Sequence, residues 1–401
     1  MRDIAIIGGG LVGLCAALVL QHPGRRVSII EAGNLEQARS DGLNARSIAL
    51  ATSSVQVLRA LGIWSQVKAQ AAPIRHIHVS SRGRWGVTRL RAEDYRLDAL
   101  GYVIESQALG RCLLDAVEDQ DNIKLEQNAE FESIDQGATV TIGYRKNKRK
   151  QTLQARLALI ADGAHSPART ALGIEYESID YGQAVVISNV EVSKPKFDTA
   201  YERFTPQGPL AMLPLGGKRY ACVWTLAPQQ ANLVCNQDDA EFSAALQDCF
   251  GFRLGLIERA GERFSIPIQR TRAAALHSGR CLLIGNAANA LHPVAGQSFN
   301  LSLRDIACLH ELLCEQPLAD LDDELSQLVT DYVRLRDNEQ RRIIRYGDGL
   351  VTMFSNQLPL LDLVRAAGLG LLDLVQPLKS QVALTGMGMT FGGNRLLRGH
   401  L

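Results

Sequence analysis

The sequence lacks long apolar runs, paired cysteine motifs and any marked excess of charge. Its net charge is +1 over 401 residues, which gives no argument for a nucleic-acid partner. No apolar run reaches the roughly 18 residues that a membrane-spanning helix needs. The eight cysteines form no C-x-x-C pair, so we expect reduced thiols, no metal site and a cytoplasmic protein. Because the first residues already form an apolar, strand-like run, we expect no cleavable signal peptide.

A glycine-rich turn near the start is the most informative feature present. Gly8, Gly10 and Gly13 have G-x-G-x-x-G spacing between an apolar run and an apolar helical segment. A second apolar run, residues 27–30, ends at Glu31, about 20 residues past the glycines. Such glycines let the backbone approach a pyrophosphate at a helix start, and the acid holds a ribose hydroxyl. The pattern predicts a dinucleotide site without distinguishing FAD from NAD; the alternative is a turn without a ligand.

A second candidate motif is Asp162-Gly163, which follows the apolar end of another strand-like run. The Asp162 carboxylate is suited to accept hydrogen bonds from ribityl or ribose hydroxyls, and Gly163 permits a close approach. Ser166 has the side chain of a helix N-cap. An ordinary strand-to-helix turn explains the same residues, so this motif alone leaves both interpretations open.

A third candidate motif begins at Gly285-Asn286, again directly after a buried strand-like run. A loop containing Pro293 follows, and a helix is predicted to begin near Ser298. The start of a helix can stabilise the negative charge of a reduced flavin. Asp305, further along the same helix, is interpreted as a structural or capping group.

The alternation of strand and helix patterns predicts an α/β fold. Helices are expected over Ser47–Leu61, Ser106–Gln120 and Asp238–Phe250, and the basic run at 145–150 is expected at a hairpin tip. Three units are predicted: a nucleotide-binding domain at 1–61, 102–177 and 277–320; a substrate-binding sheet domain at 62–101 and 178–276; and a helical region at 321–401.

The three motifs, in this order and spacing, resemble those of the class A flavoprotein aromatic hydroxylases, the para-hydroxybenzoate hydroxylase superfamily. Further stretches resemble its ubiquinone-biosynthesis branch: Ala45–Ala51, Tyr102–Glu105, Glu202–Pro214 and Gly296–Leu301. The resemblance implies a Rossmann-like FAD-binding domain of the glutathione-reductase type, an inserted β-rich substrate domain and C-terminal helices.

The same resemblance implies a set of FAD-binding residues. Arg46 and Gln107 are placed near the ribityl–pyrophosphate section, and Gly296 to Asn300 beside the isoalloxazine. The full set comprises Gly8, Gly10, Gly13, Glu31, Arg46, Gln107, Asp162, Gly163, Gly285, Asn286, Pro293, Gly296, Gln297, Ser298 and Asn300.

Three residues depart from the family pattern. Asn286 stands in place of an aspartate, Asn289 in place of a histidine and Ser298 in place of a glycine. The uncharged amide of Asn286 is expected to weaken FAD binding, although it also looks typical of one branch of the family. The sequence offers no explanation for Ser298.

The implied reaction is hydroxylation of a polyprenylated phenol, of the 2-polyprenyl-6-methoxyphenol type at ring carbon 1, in ubiquinone biosynthesis. It uses FAD, O2 and NADPH or NADH as a transient reductant. The alternatives are an FAD-dependent isoprenoid reductase or dehydrogenase, and a non-catalytic flavin-binding subunit of a biosynthetic complex. The sequence identifies no catalytic base. Candidate residues for an apolar corridor, equally explained as core, are Leu210, Met212, Leu213, Val223, Trp224 and Leu226.

Two late apolar segments, residues 358–363 and 369–378, are candidates for a contact surface. A packed helical cap is the default interpretation of such segments. The alternatives are a homo-oligomer face, contact with other ubiquinone-biosynthesis proteins and a peripheral membrane contact.

Overall fold

The computed structural model describes residues 1–35, 46–83, 86–291, 297–314 and 325–355, with 380, 383–384, 386–388 and 395–399 near the end. The strands are β1 (Arg2–Ile7), β2 (Val27–Ile30), β3 (Ser47–Ala51), β4 (Ala72–Ile74), β5 (His76–Ser81), β6 (Val87–Arg91), β7 (Gly101–Glu105), β8 (Ile123–Glu126), β9 (Ala129–Gln136), β10 (Val140–Lys146), β11 (Arg149–Ile160), β12 (Tyr176–Val192), β13 (Thr199–Thr205), β14 (Gly208–Pro214), β15 (Arg219–Leu226), β16 (Ile257–Ala260), β17 (Phe264–Ala273), β18 (His277–Ser278), β19 (Cys281–Leu283) and β20 (Asn289–Ala290). The α-helices are α1 (Leu11–Leu20), α2 (Thr52–Ala60), α3 (Ile63–Val67), α4 (Ser106–Glu118), α5 (Pro167–Ala171), α6 (Pro228–Asn236), α7 (Asp239–Phe250), α8 (Gln297–Cys314) and α9 (Leu325–Ser355).

An eight-stranded sheet has β1 near its centre. The strand order is β18-β19-β11-β1-β2-β8, with β9 and β10 joined through β11. The five strands from β19 to β8 run parallel to one another. Parallel strands are usually covered on both faces, and Ile4 to Ile7 are accordingly at most 2% exposed. The carboxyl ends of all five strands therefore lie along one edge of the sheet.

Different layers cover the two faces of this sheet. On one face, Ile4 and Ile6 pack in a core with helices α1, α4 and α8. On the other, Ala5 and Ile7 pack with β10 through Ile142 and its neighbours. This arrangement, with helices on one face and strands on the other, confirms the predicted α/β, Rossmann-like fold class.

A nine-stranded sheet forms the second unit, in the order β20-β17-β12-β15-β14-β13-β5-β6, with β16 beside β12. Its outer face packs against α6 and α7, where Met212 and Trp224 join Phe242 and Phe250 in one core. We call the opposite side of the sheet the inner face. Because side chains alternate between the faces of a strand, each strand supplies both the outer core and the inner face.

A three-stranded sheet, in the order β3-β7-β4, separates the two larger sheets. Ile74 and Val103 from this small sheet pack against Ala200 and Ala221 of the inner face. On its other side, Ile104 joins the helical core of the first unit. The long helix α9 packs against α8 and also contacts β14.

The structure corrects the prediction of one continuous helix over Ser47–Leu61. Residues Ser47–Ala51 form strand β3, paired with β7, and the helix starts only at Thr52. The short run Ser47–Ala51 carries helix-compatible residues, but pairing with β7, which lies far along the chain, decides its conformation. Helix α6, Pro228–Asn236, was also missed by the sequence prediction.

Two local predictions are confirmed. The basic run 145–150 lies at the hairpin between β10 and β11, with Asn147 and Lys148 in the turn at positive φ. The helix predicted over Asp238–Phe250 is present as α7, and Asp238 caps it in a capping box with Glu241. Within the described residues, no helix is long and apolar enough to span a membrane. The apolar segments at 358–363 and 369–378 lie outside those residues.

Candidate cofactor site

The glycine turn between β1 and α1 is shaped by close backbone contacts. Gly8 has a φ of +104°, and a Cβ there would lie 2.4 Å from the carbonyl oxygen of Ala161. A Cβ on Gly13 would lie 1.9 Å from the Gly8 oxygen, whereas a Cβ on Gly10 would meet nothing within 4 Å. The first and third glycines thus allow close packing, and Gly10 leaves open space at the helix start. Among the described residues no side chain caps α1, so its first amides are available to a ligand in that space.

Glu31 is attached to this glycine turn. Its carboxylate accepts hydrogen bonds from the Gly9 amide at 2.6 Å and from the Gly33 amide at 2.7 Å. The two amides hold the acid beside the start of α1, at the carboxyl end of β2. This is the position in which a carboxylate can reach a ribose hydroxyl.

Asp162 follows β11 at the same edge. The preceding amide, of Ala161, donates to the Ile7 carbonyl at 2.7 Å, which ties this loop to the end of β1. The Asp162 Oδ2 atom accepts from the Ala168 amide at 3.1 Å. Its Oδ1 atom is buried and accepts no hydrogen bond from the described residues. Burial raises the pKa of this carboxyl above its ordinary value, against hydrogen bonds from Ser166 and the Ala168 amide.

Ser166 caps the short helix α5, as predicted. Its Oγ accepts from the Arg169 amide at 2.9 Å. The Arg169 guanidinium is buried and donates to the carbonyls of Ala164 and Ala287. This arginine therefore joins the Asp162 loop to the loop that follows Gly285.

The Gly285-Asn286 loop completes the edge. The Ile284 amide donates to the Ile160 carbonyl at 3.0 Å. Gly285 has a φ of +63°, and a Cβ there would lie 3.1 Å from Cγ1 of Val12 in the first turn of α1. The exposed side chain of Asn286 follows directly. The structure thus brings Gly8, Glu31, Asp162 and Gly285 to one sheet edge, where α/β folds bind their ligands.

Residues 1–320 match the FAD binding domain family. The chain belongs to this family. The ubiquinone hydroxylase UbiL of Rhodospirillum rubrum is 31% identical over 405 positions, covering 100% of this chain and 93% of the relative. The 3-demethoxyubiquinol 3-hydroxylase of Escherichia coli is 28% identical over 397 positions, covering 96% and 98%. A solved structure, the p-nitrophenol 4-monooxygenase PnpA of Pseudomonas putida DLL-E4, has the same fold, with a TM-score of 0.78 at 18% identity and coverage of 96% and 98%.

These comparisons confirm the resemblance drawn from the sequence, including the ubiquinone-biosynthesis branch. The chain is an FAD-dependent monooxygenase. The residues of this FAD-binding domain also fit the cofactor. The amides at the start of α1 suit a pyrophosphate, and Oδ1 of Asp162, which has no partner within the described part of the chain, suits a hydroxyl donor.

Helix α8 begins at Gln297 in the FAD-binding domain, one residue before its predicted start near Ser298. Ser298, the unexplained departure, accepts a long hydrogen bond of 3.4 Å from the Leu291 amide through Oγ. Its hydroxyl therefore contacts its own loop. Pro293 and Gly296 lie outside the described residues. The roles of Gln297 and Ser298 toward the isoalloxazine stay predictions.

Asn300 fastens α8 to the strand β3. Its Oδ1 accepts from the Ala51 amide at 2.8 Å and the Ser54 hydroxyl at 2.6 Å, and its Nδ2 donates to the Ala49 carbonyl at 2.9 Å. The buried amide thus holds β3 against the start of α8. The place of Asn300 beside the isoalloxazine stays a prediction; its contacts show that it joins β3 and α2 to α8.

Arg46 and Gln107 lie on the β3–β7–β4 side of the FAD-binding domain. The Arg46 carbonyl accepts from the Ser106 amide at 2.8 Å, and its guanidinium carbon lies 5.2 Å from the centre of the Phe264 ring. Gln107 follows Ser106 in the first turn of α4. Arg46 therefore connects the nucleotide unit to the inner face of the large sheet. Its role toward the ribityl–pyrophosphate section, like that of Gln107, stays a prediction.

A buried ionic network between α8 and α9 was not predicted as such. Asp305 accepts from Arg336 at 2.7 Å and from Gln340 at 3.1 Å. Glu339 pairs with both Arg336 and Arg304. Asn289, the second departure, donates to Gln340 at 2.8 Å and so joins this network. In the sequence, the only sign of it is the group of polar residues spaced by three or four positions along α9.

The residues proposed for an apolar corridor divide between the two faces of the nine-stranded sheet. Leu210, Met212, Trp224 and Leu226 pack in the outer core with α6 and α7, so they are core residues. Leu213 packs on the inner face. Val223 shares that face because its neighbours along β15, Cys222 and Trp224, belong to the outer core.

Two further expectations concern cysteines and metals. Among the described residues, the free cysteines are Cys15, Cys112, Cys222, Cys235, Cys249, Cys281 and Cys308. Burial raises the pKa of the Cys281 thiol to about 12, so this sulfur stays a neutral, inert thiol. Those residues also contain no group of three metal-binding side chains.

Proposed function

We propose that this enzyme hydroxylates a polyprenylated phenol in ubiquinone biosynthesis, with NADPH or NADH as reductant. The substrate of the 2-polyprenyl-6-methoxyphenol type, and ring carbon 1 as the site of hydroxylation, belong to the proposal. One observation carries it most directly. The cofactor loops lie at the edge of the parallel sheet, and Arg46 connects this region to a largely apolar inner face.

The described residues divide the work of such a reaction. The α1 amides, Glu31 and Asp162 would hold the nucleotide and ribityl parts of FAD. Bound FAD supplies the redox chemistry that activates O2. The apolar inner face would exclude water and bind the prenyl part of the substrate, and each buried methylene contributes about 0.8 kcal/mol.

The names of the relatives support a quinone precursor as substrate. UbiL is a ubiquinone hydroxylase, and the Escherichia coli relative is a 3-demethoxyubiquinol 3-hydroxylase. The latter name places hydroxylation at position 3 in that protein, so the ring position has to be measured for this one.

The experiment is turnover of the purified holoenzyme with a short-chain 2-prenyl-6-methoxyphenol under 18O2. We expect substrate-dependent NAD(P)H oxidation and one labelled oxygen in the product, whose NMR spectrum gives the ring position. Turnover without oxygen, with a reduced prenyl double bond, would identify the alternative isoprenoid reductase. A flavin that no reductant reduces would favour the non-catalytic subunit.

A pair of variants makes the cofactor requirement specific. Asp162→Ala should lose bound FAD and turnover together, because its buried carboxylate lies at the proposed FAD site. Asp135→Ala, which alters an exposed acid on β9 of the same sheet, should keep both. Equal FAD content and turnover in the two variants would contradict the proposed site.

A further inference from the structure

The inner face carries a continuous row of paired side chains across six strands. Glu202 on β13 pairs with Val79 on one side and Ala211 on the other. The register continues from Ala211 to Val223, to Ile187 and to Phe264. Side chains of directly paired residues lie on the same face. Glu202 is thus the only acid in a row that is otherwise Val79, Ala211, Val223, Ile187 and Phe264.

The neighbour of Glu202 fixes which face this row occupies. The Tyr201 ring packs edge-on against Phe250 of α7, with centroids 5.6 Å apart, so Tyr201 points outward. Glu202, the next residue, therefore points inward. Ala200, two residues earlier, agrees, because it packs with Val103 of the small central sheet.

The row is accessible to a ligand, in contrast to the row beside it. All six of its side chains are partly exposed. The adjacent outward row, Tyr201, Met212 and Cys222, is buried, with at most 8% exposure. Phe264 at one end lies under the Arg46 guanidinium. Four strand spacings separate Phe264 from Glu202, about 19 Å, so the row leads from the cofactor side into the apolar face.

Glu202 has no charged or hydrogen-bonding partner among the described residues, and burial alone raises its pKa to about 7. On the strands beside it, the inward neighbours are Ile77 and Val79 on β5 and Ala211 and Leu213 on β14, none of them titratable. No charge on the part of helix α9 whose side chains the structure describes, residues 325–345, shifts this pKa. A carboxylate in this setting has the basicity that suits a general base near neutral pH.

We propose that Glu202 is the catalytic base that accepts the phenolic proton of the substrate. The inference rests on the proposed function. The phenol O–H bond breaks and a carboxyl O–H bond forms, without transfer of electrons. The phenolate directs electron density to the ring carbon, which bonds to one oxygen atom of O2. The second oxygen atom ends as water, which takes up the proton that the ring carbon loses, and Glu202 returns the first proton to the ring oxygen. Overall, phenol, O2, NAD(P)H and a proton give hydroxylated phenol, NAD(P)⁺ and water.

The test compares Glu202→Gln with the wild-type holoenzyme. The variant should bind FAD and be reduced by NAD(P)H normally, but hydroxylate about 10²–10⁴-fold more slowly. The pH profile of the wild-type kcat should contain a rising limb with an apparent pKa near 7. The profile of the variant should lack this limb. Ring-fluorinated substrates have more acidic phenols and depend less on a base. With them, the ratio of the wild-type to the Glu202→Gln hydroxylation rate should be smaller.

Glu258→Gln is the matched control, since Glu258 is an exposed residue on β16 of the same sheet that pairs with Lys218 at 3.2 Å. It should leave rate and pH limb unchanged. The inference would be overturned if Glu202→Gln keeps the limb of the pH–rate profile. It would also be overturned if the variant hydroxylates every phenol more slowly than the wild type by the same factor. If the amide variant does not fold, Glu202→Asp decides. A slower hydroxylation rate together with a shifted limb in the pH–rate profile supports the role of Glu202 as the base. Unchanged kinetics refute that role. Absence of hydroxylation by the wild-type enzyme would refute the proposed function itself, and with it this role.

Discussion

The amide of Gly9 donates to the Glu31 carboxylate at 2.6 Å, so the acid at the end of β2 is bonded directly to the turn at the end of β1. This contact gives Glu31 two roles. It stabilises the folded protein through the amides of Gly9 and Gly33, and it is predicted to hold the ribose of FAD.

We expect Glu31→Ala to weaken both properties. Loss of hydrogen bonds to a charged acceptor should lower the free energy of unfolding of the apoprotein by about 1.5–3 kcal/mol. FAD affinity should fall as well. Urea unfolding and fluorescence titration with FAD measure the two effects. Glu130→Ala, at an exposed site on β9, should change stability by less than about 0.5 kcal/mol. A stable Glu31→Ala protein with normal FAD affinity would contradict both roles.

The three glycines of the turn should respond differently to alanine. Gly13→Ala forces a Cβ to within 1.9 Å of the Gly8 oxygen, so we expect apoprotein stability to fall by about 1–3 kcal/mol. Gly10→Ala meets open space and has a permitted φ of −66°. It should fold normally and lose FAD affinity, because its methyl group enters the space assigned to the pyrophosphate. Thermal melts of both apoproteins, followed by FAD titration, separate the effects; tight FAD binding by Gly10→Ala would refute that assignment.

Asp162 should make the apoprotein less stable as pH rises. Burial raises the pKa of this carboxyl in the folded state, so the folded protein holds the proton more tightly than the unfolded chain. Stability therefore falls between the ordinary and the raised pKa. Asp162→Asn should remove this slope, stabilise the apoprotein at pH 7 and weaken FAD binding. Urea unfolding from pH 4 to 8 measures the slope, and Asp135→Asn should leave it intact. An unchanged slope in Asp162→Asn would show that another group causes it.

The buried pair Asp305–Arg336, which joins α8 to α9, should contribute far more to the free energy of unfolding than the more exposed pair Arg334–Asp331 within α9. The side chains of the buried pair are 2% and 6% exposed, at 2.7 Å. Removing one partner with Asp305→Ala leaves a buried charge and should cost about 3–5 kcal/mol. The Arg334–Asp331 pair, at 3.0 Å with Arg334 exposed and Asp331 partly exposed, is the control, and Arg334→Ala should cost about 0–1 kcal/mol. Similar losses in both variants by urea unfolding would contradict the importance of burial.

The sequence predicted the parts of the fold whose signals are local. The glycine turn, Glu31 and the hairpin at 145–150 are legible because neighbouring residues determine them. The helix predicted over Ser47–Leu61 was partly wrong, because pairing of Ser47 with Glu105 on β7 is invisible in a short window. The contact of Asn300 with Ala51, 249 residues away, could not be predicted for the same reason.

The candidate base illustrates the same limit in the site. Glu202 stands in a stretch that resembles the family, but its chemistry depends on residues that other strands bring beside it. Val79 and Ala211 are placed there by pairing, and among the described residues no cation shifts the pKa of Glu202. Sequence patterns point to the proposed FAD site because its residues follow strand ends, whereas they do not show which side chains share a sheet face with Glu202.

The strand order has a consequence for biosynthesis. β1 lies in the middle of the parallel sheet, and its neighbour-but-one β19 (Cys281–Leu283) follows it in the chain only after the nine-stranded unit except β20. During synthesis the apolar sheet around β1 therefore stays incomplete until β19 emerges, so chaperone binding and aggregation should concentrate on β1 and its neighbours β2 and β8.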